Sequence, residues 1–156
     1  MAQNGVQYSN SKTEPSVANL PAGRIAIIWI AYGSGVTAGL MAIGHAAGIA
    51  STAGFSGWIA AATIAGCNLA GSLLCGWLSD EVSHRSILTS LPLLGAAALL
   101  ALSVLPAQTL TFLGIIGFAY GGTIATYPAA IANLFPGEDG PRAYGRIFTA
   151  WGTAGL

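Results

Sequence analysis

Charge is what this sequence has least of. Among 156 residues there are five Lys and Arg and five Asp and Glu, 6% in all, against 54% hydrophobic residues. A soluble domain carries roughly 25% charged residues, so ten charges cannot cover a water-facing surface on a chain of this length. The formal net charge is zero and no basic stripe is present, which argues against phosphate neutralisation and excludes nucleic acid as an expected partner. Cysteine is scarce too. Cys67 and Cys75 lie eight residues apart in one apolar run, about two turns along a single helix, and cannot pair with each other. Catalytic and cofactor motifs are missing: there is no HExxH, no GxxxxGK[ST], no CxxC and no Ser-His-Asp set in the polar segments. The carboxylate pairs Asp80/Glu81 and Glu138/Asp139 are adjacent in sequence, so they diverge on a helix and make poor acid–base partners. No enzyme activity, cofactor or metal is expected. Glycine, in contrast, is abundant at 22 residues, with no collagen period.

What is present is apolar length. Residues 25 to 79 hold no charge beyond His45, and residues 86 to 137 hold none. About 20 apolar residues cross a bilayer, so each run accommodates two crossings joined by a hairpin. The breaks fall at residues 51–56 (Ser-Thr-Ala-Gly-Phe-Ser) and 106–109 (Pro-Ala-Gln-Thr). The expected fold is all-α, a polytopic membrane helix bundle whose solvent is the lipid bilayer. Four complete spans fall at 25–50, 57–78, 87–105 and 110–135, and a fifth, partial one at 147–156. Residues 1–23 are polar, lack a secretory h-region and form a tail.

The charges also orient the chain. Lys12, Arg24, Arg85, Arg142 and Arg146 all fall on the side of the tail and of the 79–86 and 136–146 loops, and neither opposite hairpin has any. By the positive-inside rule this side, N-terminal tail included, is cytoplasmic.

Candidate functional residues are polar or helix-distorting groups within the spans. His45 is the one imidazole at membrane depth, a costly position that points to function or to a bond with a neighbouring helix. Asn68 is either interhelical glue or a substrate contact. Tyr120, Thr123 and Tyr127 share a helical face through their i, i+3, i+7 spacing, and either present hydroxyls to a polar substrate or pack. Gly121, Gly122 and Pro128 predict a kink in the fourth span. The pairs Gly35/Gly39, Gly44/Gly48, Gly66/Ala70 and Gly117/Gly121 have the small-xxx-small spacing that lets membrane helices approach closely, or that permits bending.

The segment Gly76-Trp77-Leu78-Ser79-Asp80-Glu81-Val82-Ser83-His84-Arg85 resembles the loop signature of the major facilitator superfamily. Gly76, Asp80 and Arg85 match it, while Glu81, Ser83 and His84 depart from it. The resemblance implies that these residues make cytoplasmic contacts holding one state of a transporter. Phe135-Pro136-Gly137, Tyr144 to Gly152 and Gly39-Leu40-Met41 are similar to segments of oxalate/formate antiporter-type, monocarboxylate-type members. On this likeness the chain matches helices seven to eleven of a twelve-helix carrier. Helix eleven is cut short, and the tail stands for the central loop. The N-terminal half, a partner across the substrate path, is missing. The implied function is secondary transport of a small organic anion such as a carboxylate, by antiport or proton symport, in the plasma (inner) membrane. The four spans hold no Lys or Arg, which favours a monocarboxylate moving with a proton over a dicarboxylate. The chain alone is not expected to transport. The alternative is a small membrane subunit, or an inactive truncated carrier, that assembles through its glycine-rich faces.

Overall fold

The computed structural model describes residues 22–155, and all of their regular structure is helical. The tail carrying Lys12 and Glu14, and Leu156, lie outside the described residues. The helices are α1 (Ala22–Gly44), α2 (Ala46–Thr52), α3 (Gly57–Glu81), α4 (His84–Val104), α5 (Thr109–Leu134) and α6 (Asp139–Ala154), with a 3-10 turn at Pro106–Gln108. The helices α1, α3 and α4, and the run from Pro106 through α5, are long and apolar enough to cross a membrane. Large apolar side chains such as Ile27, Trp58, Leu73, Leu93 and Leu100 stand on the outside, as they do when lipid is the solvent. The chain is a polytopic helical bundle and an integral membrane protein.

The central helix is α5. In its most apolar stretch 56% of residues are buried, against 17–22% in the other three crossing helices. Helix α3 lies along one side of it, α4 along another, and α6 packs mainly on α1. Glycine makes the α3–α5 contact close. A Cβ at Gly117 would stand 2.8 Å from the Ile64 carbonyl oxygen, one at Gly121 would collide with the Asn68 carbonyl, and one at Gly71 with that of Phe118. Gly114 and Gly122 receive Cys67 and Cys75 in the same way, and both cysteines are free.

Four boundaries differ from expectation. The first span is divided at His45, whose φ of −100° and ψ of 2° leave the helical region, so α1 and α2 replace one helix. The polar break after it begins later, since Ser51 and Thr52 still belong to α2 and turn their hydroxyls onto Gly48 and Ile49 carbonyls. The helix then ends in a Schellman turn: Phe55 N–H donates to Ala50 O, Gly54 N–H donates to Ser51 O, and Gly54 has φ +82°. The expected 79–86 loop shrinks to Val82 and Ser83. Asp80 and Glu81 complete the last turn of α3 and Arg85 lies in the first turn of α4, because nothing between Gly57 and Glu81 breaks a helix. The expected 136–146 loop is likewise mostly helix. Pro141 falls in the first turn of α6, where a missing N–H costs nothing, so Arg142 and Arg146 are helical residues and not loop residues.

Two prolines sit inside helices. Pro92 and Pro128 remove a hydrogen bond each, yet α4 and α5 run through them. Pro128 is exposed, and the expected kink does not interrupt α5.

Candidate functional site

Tyr120 stands at the meeting point of α1, α5 and α6. Its ring lies over Gly39 of α1, where a Cβ would be 2.5 Å from Cδ2. Its hydroxyl accepts a hydrogen bond of 3.0 Å from the Trp151 indole N–H on α6. Glycine at 39 and an indole three turns along α6 therefore hold the ring from two sides. So held, Tyr120 divides two cavities. The first, about 300 Å³, lies among α1, α4 and α5 and is lined by Ser34, Gly95 and Thr123 among others. The second, about 520 Å³, lies among α1, α2, α3 and α5, with Asn68 on its wall.

The structure thus brings Tyr120 to Asn68 on one side and to Thr123 on the other. Thr123 is buried and gives its proton to the Ala119 carbonyl at 2.7 Å, which leaves the hydroxyl an acceptor towards the cavity. Tyr127, on the same face by spacing, reaches neither of these cavities. It is buried against Tyr32, with ring centroids 4.3 Å apart and planes tilted by 49°. His45 stands apart on the surface, its Nδ1–H bonded to the Met41 carbonyl of its own helix at 2.8 Å and not to a neighbouring helix. Gly121 and Gly122 are occupied by packing against α3 and α4.

Sequence reasoning passed over Trp151 and Tyr32. The i, i+4, i+7 spacing of Tyr144, Phe148 and Trp151 was the available signal. The three rings run in series along α6, with centroids 5.5 and 5.8 Å apart. Burial pushes the Tyr144 phenol above its usual pKa. Tyr32 is only 1% exposed and its hydroxyl has no partner among the described residues; no pattern in the sequence distinguishes it from a packing tyrosine.

All charged groups among the described residues gather at one end of the bundle. Arg24 lies over the Phe135 ring at 5.5 Å from its centroid, which ties the start of α1 to the end of α5. Asn133 approaches His84 at 3.3 Å, which ties the end of α5 to the start of α4. Arg142 pairs with Glu138 at 3.9 Å on the surface. Asp80 and Arg85 are both exposed and form no ion pair with each other among the described residues. A Cβ on Gly76 would meet nothing within 4 Å, so packing inside this bundle does not require glycine there. Among the described residues, no charged residue lines either cavity and no cluster of metal-binding side chains occurs.

Comparison with known proteins gives one informative likeness. No family model matches the chain and no solved structure matches it. An uncharacterized MFS-type transporter, YhjX of Escherichia coli (strain K12), is 28% identical over 125 residues, covering 76% of this chain and 31% of that protein. The chain therefore spans about a third of the length of this relative. The likeness does not reach the oxalate/formate subgroup; it supports a resemblance to part of a major facilitator superfamily transporter.

Proposed function

We propose that this chain is part of a secondary transporter that moves a small organic anion, a carboxylate, by alternating access, through antiport or proton symport. The observation that carries the reading is the pairing of Asn68 and Tyr120 on one otherwise apolar cavity at membrane depth. Polar groups there are costly, and a cavity lined by two residues with hydrogen-bonding side chains fits a small polar substrate. The likeness to an MFS-type transporter agrees with it.

Completing the path requires the other half of a carrier. Gly35, Gly44, Gly48 and Gly66 each meet open space within 4 Å, which leaves small-residue faces for further helices to approach. At the charged end, Gly76 is free of close packing and Asp80 and Arg85 are free of ion pairs among the described residues, and they would hold a companion half in one state, with that end and the tail in the cytoplasm of a plasma-membrane protein.

The test is uptake of labelled formate, acetate and oxalate into proteoliposomes. The complete carrier is expected to take up a monocarboxylate saturably, with Tyr120→Phe and Asn68→Ala each lowering the rate at least tenfold. This chain alone is expected to give none. Absence of carboxylate uptake by the complete carrier overturns the reading. The same open glycine faces favour the second reading, a subunit that assembles without transporting. That reading holds if this chain co-purifies with a membrane partner and neither accelerates flux.

A further inference from the structure

We infer that the cavity shared by Asn68 and Tyr120 binds an uncharged carboxyl group, the protonated acid and not the carboxylate. The inference rests on the transport reading above and adds the ionisation state of the bound form. The second cavity is walled by small and aliphatic residues such as Leu40, Ile43, Ala61 and Ile64, and Asn68 and Tyr120 are its two hydrogen-bonding side chains. A carboxylate placed there meets no cation among the described residues, and an unpaired charge at membrane depth is heavily penalised.

The hydrogen-bond inventory points the same way. Tyr120 Oη already accepts the Trp151 N–H at 3.0 Å, so its own proton is free to be donated. Asn68 brings both a donor, its amide N–H groups, and an acceptor, Oδ1. Nothing among the described residues hydrogen-bonds that carboxamide in place of a ligand. A protonated carboxyl carries one O–H and one carbonyl. Its O–H can donate to Asn68 Oδ1 while its carbonyl accepts from Tyr120 or from Asn68 Nδ2. A carboxylate has only acceptors, so it leaves Asn68 Oδ1 unpaired or turned against a negative oxygen. The proton then enters with the substrate, and His45, which lines neither cavity and has its Nδ1–H engaged by the Met41 carbonyl, is not needed to carry it. Trp151 acts as a positioning residue, since by donating to Tyr120 it fixes which way the hydroxyl can donate.

The test uses the full 156-residue chain in lipid nanodiscs, with the Trp151 indole N–H resonance as reporter, identified by its loss in Trp151→Phe. Acetic acid and acetamide, its neutral isostere, are titrated at several pH values. The apparent affinity for total acetate is expected to fall about tenfold per pH unit above the acid's own pKa, while acetamide binds independently of pH. Asn68→Leu is expected to weaken both probes at least tenfold. The wild-type pH profile decides the matter even if the variant does not fold. Acetate affinity that is flat or rises with pH overturns the inference but leaves carboxylate transport standing. If neither probe moves the indole while the complete carrier still transports carboxylate, this cavity is not the site and the inference falls alone. If transport is absent as well, both fall.

Discussion

At the scale of residues, two glycines with the same spacing signature have opposite surroundings. Gly121 meets the Asn68 carbonyl across the α3–α5 contact, whereas Gly66 meets nothing within 4 Å. Gly121→Ala pushes a carbon into main-chain atoms that cannot swing aside, and is expected to cost about 1–3 kcal/mol. Gly66→Ala is expected to be neutral or slightly stabilising, because alanine is the better helix former by about 1 kcal/mol. Thermal unfolding in detergent micelles separates them, and an unchanged midpoint for Gly121→Ala contradicts the close contact. Tyr32 provides a second test. Its hydroxyl is buried without a protein partner, so Tyr32→Phe is expected to leave stability unchanged or raise it by about 1–3 kcal/mol. A fall in the same assay reveals a partner, such as a bound water. Asn68 and Tyr120 were legible as candidates because polar groups are rare in apolar runs. Trp151 was not, because an indole in a membrane helix is as often apolar filler. Only the 3.0 Å bond to Tyr120 gives it a role.

At the scale of elements, helix ends follow local chemistry more closely than charge. Gly54 closes α2 in the left-handed region, where a Cβ crowds the following carbonyl. Gly54→Ala is expected to destabilise the α2–α3 corner by about 1–2 kcal/mol, read as faster amide exchange at Phe55 than at residues in the middle of α5. Pro106 starts a 3-10 turn and separates α4 from α5, as its place between two apolar runs suggests. Pro92 and Pro128 do not end their helices, because in a membrane the helix on either side is held by its neighbours and the backbone has no water to turn to. The same preference draws Asp80, Glu81, Arg142 and Arg146 into helices. Charges excluded from lipid can sit on a helical turn at the interface as well as in a loop. Acidic groups at the end of α3 and Arg142 near the start of α6 run against the helix dipole, so the helix ends do not explain their placement.

At the scale of the whole molecule, all described charges lie at one end and the hairpins around residues 53–56 and 105–108 at the other. In a background with Cys67 and Cys75 replaced by alanine, Ala107→Cys is expected to react with a membrane-impermeant maleimide added outside intact cells. Glu138→Cys is expected to react only after permeabilisation. The reverse result inverts the proposed orientation.

The division of labour follows from the range of the forces. Sequence by itself determined that this is a membrane bundle with four long apolar helices, and which end holds the charges. These depend on transfer of apolar length from water to lipid, a property of each segment alone. Tertiary structure decided which glycines are contacts, that α5 is central, that Tyr127 is core, and that Tyr120 joins Asn68 on one cavity while His45 joins neither. Such choices depend on which faces of different helices meet, and with small residues at so many positions the helical period left several faces equally able to pack.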